Sequence, residues 1–394
     1  VRAPVLVLAI AMSACGSAPP PPVAVAPPRS GPHWLDAADV GFLQGVPFVR
    51  VRIGDHGPYW LAVDTGAAHT LIGSSLATEL GLALDGSGPS ITTPDGSQVP
   101  SRAEVTLPDV QVGDAVLTAP HTLVLAGDAV ERALNAWRST DPARGVLGAS
   151  ALAGHVLTID YHAGTIAIDP RGTPIEGPHA FDAIDDELGC PSVPLRIGEL
   201  EHRVTIDTGS SEGIFVSEDW EDDLEFSTGP LIVGFAMGAS GMMAEHAGRL
   251  DGSVELAGYT LDSPIVSLAA VPSVGASFLM AFTFVYDHDA ARAALIGRDD
   301  MDLHQPPIES IGFGWIYEHG AWQVAGIVPE SHATAAGVAA GDELLSIGGH
   351  TVEEVAHGLP WDQLTTGDDR AIEVRIRRGT EELTLRVPIA VLIP

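Results

Sequence analysis

The sequence predicts a mainly β chain, built as an internal duplication of a β-rich unit followed by a smaller third unit. Three observations carry this. Short runs such as Phe48-Val49-Arg50-Val51-Arg52-Ile53 alternate apolar and polar residues, the period of a half-buried strand. The stretch Val63-Asp64-Thr65-Gly66, with an apolar run resuming at Leu71-Ile72, returns as Ile206-Asp207-Thr208-Gly209, with an apolar run resuming at Ile214-Phe215. Landmarks around the two stretches recur in the same order, which marks an internal repeat.

The repeat can be followed along the chain. Gly54 precedes Asp64 by ten residues and Gly198 precedes Asp207 by nine. Gly113 with Pro120 is echoed by Gly258 with Pro264, and Val146-Leu147-Gly148-Ala149-Ser150 by Ser273-Val274-Gly275-Ala276-Ser277. Twelve residues separate Gly148 from Asp160 and also Gly275 from Asp287. In the first copy a strand over Tyr59–Val63 leads into Asp64. A short helix over Ser74–Leu80 is stopped by Gly81, and strands are expected at Ser101–Leu107, Val110–Val112 and Leu123–Leu125. Hairpins at Val156–Tyr161 with Thr165–Ile168, and at Phe282–Tyr286 with Ala293–Ile296, close the two copies. The third unit has a strand at Trp322–Val328, a short helix ending at Gly337, and a hairpin of Ala371–Arg377 with Glu382–Pro388.

Length and composition bound the rest. A chain of 394 residues exceeds one ordinary core, and a formal charge of −33 excludes a nucleic-acid partner, which needs basic surface. Arg2 and the apolar run Val5–Met12 read as a signal-peptide core, too short to span a bilayer. Ser17–Pro32 is a Pro- and Ala-rich tether. The expected divisions are a leader at 1–15, a linker at 16–38, the two copies at 39–175 and 176–300, and the third unit at 301–394. Of the two cysteines, Cys15 falls in the leader, so Cys190 is expected as a buried thiol without a disulfide. The His residues are scattered with no dense ligand spacing, so neither metal nor cofactor is expected.

A carboxylate that ends an apolar strand and precedes glycine sits on a tight turn open to a ligand. Thr65 and Thr208 can hold the two turns, and Gly66 and Gly209 allow close backbone approach. If the copies face each other, Asp64 and Asp207 meet, and two close carboxyls share one proton. One then serves as base toward a water and the other as acid toward a carbonyl oxygen. Gly209-Ser210-Ser211-Glu212-Gly213 fits G-x-S-x-G, but a strand follows where a nucleophile elbow needs a helix, so serine chemistry is set aside.

The paired Asp-Thr-Gly, each with a later apolar-apolar-Gly, resembles the retropepsin-like aspartic proteases over Gly41 to Gly297. That resemblance implies a bilobal pepsin-like β-barrel duplication with Asp64 and Asp207 catalytic and with Thr65, Gly66, Thr208 and Gly209 in the active-site loops. Ala67, Ser210 and the flap-candidate glycines Gly96 and Gly241 would contact a polypeptide substrate. With both lobes in one chain, a monomer with an intramolecular pseudo-twofold is implied. No flap tyrosine like pepsin's is found, and His69 against Glu212, each three residues past the motif glycine, are expected to make the cleft's ends differ. Pro307 to Pro388 resembles a PDZ domain, with Ile311-Gly312-Phe313-Gly314 as its carboxylate-binding loop for a polypeptide partner. Ser13-Ala14-Cys15-Gly16 resembles the lipobox of bacterial lipoproteins. It implies a lipid on Cys15 and a place in the cell envelope, the outer membrane being favoured because no Asp follows the cysteine. Together these imply an anchored aspartic endopeptidase; the alternative is a catalytically silent peptide-binding or scaffold lipoprotein.

Overall fold

The computed structural model describes residues 32–394 apart from 85, 87, 137, 139, 173, 174, 176–178, 184–188, 299, 300, 330, 358, 360 and 366–369. The leader, Cys15 and most of the expected linker lie outside the described residues. Just past the expected tether, Trp34 bridges Ala167, and the Leu35 N–H donates to the Ile166 carbonyl at 2.8 Å.

The chain is mainly β. The alternating stretch that opens the repeat forms Val46–Ile53, whose apolar positions are buried, paired with His56–Asp64. In the first sheet the strands lie in the order Ser90–Thr92, Gln98–Val105, Thr122–Leu125, Leu71–Gly73, Ala143–Gly148, His56–Asp64, Val46–Ile53, Val110–Val112 and Ala115–Leu117. In the second the order is Phe226–Gly238, Gly241–Leu250, Ile265–Ala269, Ile214–Ser217, Ser273–Val274, Leu200–Ile206, Ser192–Ile197, Ser253–Leu256 and Tyr259–Asp262. The two sheets match place for place, so the sequence repeat is also a repeat of topology. Asp64 and Ile206 end the corresponding strands. Each strand runs parallel to the one ending in the apolar-apolar-Gly stretch, with Asp64 opposite Gly148 and Ile206 opposite Val274.

The closing hairpins behave differently from expectation. They do not close each copy separately. They join in one five-stranded sheet ordered Thr165–Pro170, His155–Asp160, Phe282–Asp287, Arg292–Gly297 and Ala180–Asp182. In its central antiparallel pair Thr158 faces Val285, and 127 residues separate these two just as they separate Gly148 from Gly275. Phe282, Phe284 and Tyr286 alternate onto one face and are fully buried, with Leu157 opposite Tyr286 and Ile159 opposite Phe284. Their cluster runs without a break from Val49 in the first copy to Leu295 in the second. One core therefore serves both copies.

The third unit has its own core around Phe313, Leu344, Ile372 and Val374. Its sheet is an antiparallel meander of Phe313–Glu318, Ala321–Ile327, Glu343–Ile347, Ala371–Arg378 and Glu381–Pro388. The helix His332–Ala336 stops at Gly337, which takes the left-handed conformation at φ 93° that a side chain resists. Outside this sheet, Ile308–Ser310 pairs with Ala390–Ile393.

Because Phe284 lies at the centre of the joint core, Phe284→Ala is expected to destabilise the protein by about 3–5 kcal/mol, the usual cost of emptying a buried aromatic site. Urea unfolding followed by circular dichroism checks this.

Candidate active site

The two Asp-Thr-Gly turns meet face to face. Thr208 Oγ donates to the Val63 carbonyl at 2.6 Å and accepts from the Thr65 N–H at 3.0 Å; Thr65 Oγ donates to the Ile206 carbonyl at 2.5 Å and accepts from the Thr208 N–H at 3.3 Å. Both threonines are fully buried. Each turn thus fastens the strand end of the other. The carboxyls cross in the same way: a Cβ added to Gly66 would lie 2.5 Å from Asp207 Cγ, and one added to Gly209 would lie 2.3 Å from Asp64 Cγ. No side chain fits at either glycine. Behind the turns the Ala149 N–H donates to the Ala67 carbonyl and the Ala276 N–H to the Ser210 carbonyl, each at 2.8 Å.

Asp64 and Asp207 are hydrogen-bonded to each other. Burial raises the pKa of both. Asp207 is raised further by the negative charge of Asp64. Asp64 is opposed by N–H donors from Ala67, Gly66 and Gly209, and Asp207 by those of Gly209 and Ser210. The anion is better satisfied by hydrogen bonds on Asp64, which favours the proton of the pair on Asp207. A water placed between them would meet a base on one side and an acid on the other. The Tyr161 phenol lies close enough to feel the Asp207 charge; burial first, and that charge second, keep it protonated, and its hydroxyl has no hydrogen-bond partner among the described residues.

The pair opens into a cavity of about 290 Å³. Its walls include Phe48, Leu71, Ile91, Val130 and Leu134 from the first copy, and Phe215, Glu245 and Leu268 from the second. Two hairpin tips roof it. The first, at Thr93-Pro94-Asp95-Gly96, gives the Pro94 carbonyl to the Ala270 N–H at 3.1 Å, while its Asp95 accepts from Ser240 Oγ at 3.3 Å. The second tip joins Phe226–Gly238 to Gly241–Leu250. The two flap candidates therefore act as a pair.

Of the expected contact residues, Ala67 and Ser210 line the cavity. Gly96 and Gly241 sit at the tips, beside the lining residues Asp95 and Ala239. The expected asymmetry of His69 and Glu212 is realised on one side only. Glu212 lines the cavity, whereas His69 turns away, its ring 6.0 Å from that of His121. Glu212 is hydrogen-bonded to Glu245, and burial raises both pKa values, that of Glu245 further through the Glu212 charge. Glu245 escapes sequence reasoning because its strand, Gly241–Leu250, carries two glycines and no clean alternation of apolar and polar residues. Cys190 is buried with its thiol 3.6 Å from the Gly66 carbonyl, packed with Ala68 and Ala149 behind the first turn.

In the third unit the Ile311-Gly312-Phe313-Gly314 stretch is met by the second copy. The Phe235 ring lies so close that a Cβ on Gly326 would fall 2.7 Å from its Cζ, and one on Gly314 would fall 3.0 Å from its Cδ2. Along the adjoining edge strand the Tyr317 N–H donates to the Ala136 carbonyl at 2.6 Å. Ile311 and Gly312 line a separate cavity of about 430 Å³ with Leu231, Ile232 and Leu392.

A carboxyl whose pKa is raised on folding binds a proton that the unfolded chain has released. Stability then falls as pH rises from the ordinary aspartate value toward the raised one. Asp207→Asn removes this cost. The variant is expected to melt above the parent at neutral pH, with the gap closing below about pH 4, where the unfolded chain is protonated too. Melting curves across pH 3–8 test it.

Residues 49–151 match the family model Asp_protease_2, described as "Aspartyl protease", a stretch that holds Asp64, Thr65, Gly66 and Gly148. No curated protein matches the chain. Among solved structures, a PDZ domain protein from Parabacteroides distasonis is similar at 18% identity over 22% of this chain and 21% of that one, with a TM-score of 0.17. The chain thus spans about a fifth of that protein, a likeness too partial to bear on the site.

Proposed function

We propose that the chain is an aspartic endopeptidase in which Asp64 and Asp207 form the catalytic pair. The observation that carries this is the meeting of the two Asp-Thr-Gly turns, which sets the half-buried Asp64 and Asp207 carboxyls against each other at the floor of a roofed cleft. Asp64 takes a proton from the bound water as its oxygen attacks the peptide carbonyl carbon. Asp207 gives its proton to the carbonyl oxygen. The tetrahedral diol then collapses: the C–N bond breaks, and the amine leaves with a proton returned by the pair. Water is added across the amide, with no covalent intermediate. Thr65, Gly66, Thr208 and Gly209 hold the loops, Ala67 and Ser210 flank the substrate, and the two hairpin tips exclude bulk water. A silent peptide-binding cleft has no need of two desolvated carboxyls that lower stability at neutral pH.

The reading extends to the whole chain. It takes the molecule as a monomer whose two copies are related by an intramolecular pseudo-twofold, a reading supported by the central register of the shared sheet. The third unit is assigned to polypeptide binding through Ile311-Gly312-Phe313-Gly314. Cys15 is assigned a lipid anchor in a bacterial cell envelope, with the outer membrane favoured.

Asp64→Asn and Asp207→Asn are each expected to lower kcat by at least about a hundredfold to ten-thousandfold, the range of acid–base catalysis. A statine-containing peptide, which mimics the diol, is expected to inhibit the parent. Activity is expected to fall on the alkaline side as the pair loses its shared proton. Cleavage at the parent rate by either variant removes the proposal. Metabolic labelling with a fatty acid is expected to mark the full-length chain and to be lost in Cys15→Ala; label retained by the variant refutes the anchor.

A further inference from the structure

The cleft is chemically lopsided. Below its roof, its first-copy wall is mainly apolar, with Phe48, Leu71, Ile91, Val130 and Leu134, while Asp95 stands at the roof tip. Its second-copy wall holds the Glu212–Glu245 pair. Glu212 stands on the loop that follows the Asp207 turn, and Glu245 on the roof hairpin, so the two carboxyls join floor to roof beside the catalytic pair. Besides each other, they have Ser211 Oγ on Glu212 at 3.2 Å and Ser267 Oγ on Glu245 at 2.8 Å.

Hydroxyls satisfy lone pairs but supply no charge. Desolvated carboxylates ordinarily acquire a cation. Here none is present: the residues lining the cavity include Asp64, Asp95, Asp207, Glu212, Glu218 and Glu245, with His246, but no arginine or lysine among the described residues. An apolar pair could tie hairpin to loop without burying charge. The pair's needs are those of a wall that waits for a positive group.

We propose that Glu212 and Glu245 form the specificity wall of the cleft and receive a lysine or arginine side chain of the substrate. This rests on the endopeptidase reading of the same cleft. The first-copy counterpart of Glu212 is His69, which faces away, so the basic residue is recognised on one side of the scissile bond only. An apolar residue is recognised on the other. The substrate class is a polypeptide with an apolar–basic junction, whose basic group enters between the Glu212 and Glu245 carboxyls.

The test separates binding from cleavage. Peptides carry an apolar residue next to lysine, arginine, norleucine or glutamate, and each is made in a cleavable form and in a form with a reduced, uncleavable central bond. Calorimetry on the full chain gives the affinity of the uncleavable set. Lysine and arginine peptides are expected to bind at least about tenfold more tightly than norleucine, which matches the lysine stem without its charge, a gain within reach of a buried charge contact. Glu212→Gln and Glu245→Gln keep the shape and the serine contacts, and each is expected to bring lysine to within about twofold of norleucine measured on the same variant. Equal binding of lysine and norleucine by the parent, a lysine preference that survives both variants, or no binding by any peptide overturns the proposal. The cleavable set reports on the underlying reading. Selective binding without cleavage leaves the wall standing and removes the endopeptidase. Cleavage indifferent to the basic residue, with equal binding, does the reverse.

Discussion

The hydroxyls of Thr65 and Thr208 are the interaction on which the rest depends. Each donates to a carbonyl of the opposite copy and accepts an N–H from it, so neither turn has its backbone satisfied alone. A buried amide without a partner costs about 1–3 kcal/mol. The two copies are therefore not free to fold as separate bodies with a cleft between them. The shared sheet below and the joint core around Phe284 follow from that constraint, since the copies must be held in register for the threonines to reach.

Electrostatics run in the opposite direction. Two carboxyl pairs, Asp64–Asp207 and Glu212–Glu245, face one cavity, and partial burial raises the pKa of all four groups above the ordinary carboxyl range. Both raise the free energy of the folded state at neutral pH. The threonine network, the apolar core and the serine hydroxyls offset that cost. A site built in this way is stable as a fold and unsatisfied as a chemical environment, the usual relation between scaffold and function.

Much of this was legible in the residues. Asp64 and Asp207 stand in short motifs whose spacing and apolar flanks are local, and local signals survive in sequence. The order of the repeat foretold the matching sheets. The shared sheet was not legible, because Val156–Tyr161 and Phe282–Tyr286 announce hairpins but not which strand lies beside them. Glu245 was missed because its hairpin includes Gly229, Pro230 and Gly234, which read as breaks rather than a strand. The helix Ala129–Leu134, which walls the cleft, is too short to show a period. Glu212 and His69 occupy equivalent places, yet nothing local says that one side chain enters the cleft and the other leaves it.

The third unit touches the rest at telling places. Phe235 fills the space above Gly314 and Gly326, and the residues after it, Ala236 to Ala239, line the cleft. Ala136 holds the N–H of Tyr317, and the helix just before it walls the cleft from the other copy. That N–H is already taken, so a peptide held at Ile311-Gly312-Phe313-Gly314 cannot pair along this edge as far as Tyr317. The carboxyl-terminal unit is thus a brace across the jaws: one foot stands on each, and whatever loosens either foot alters the gape between them.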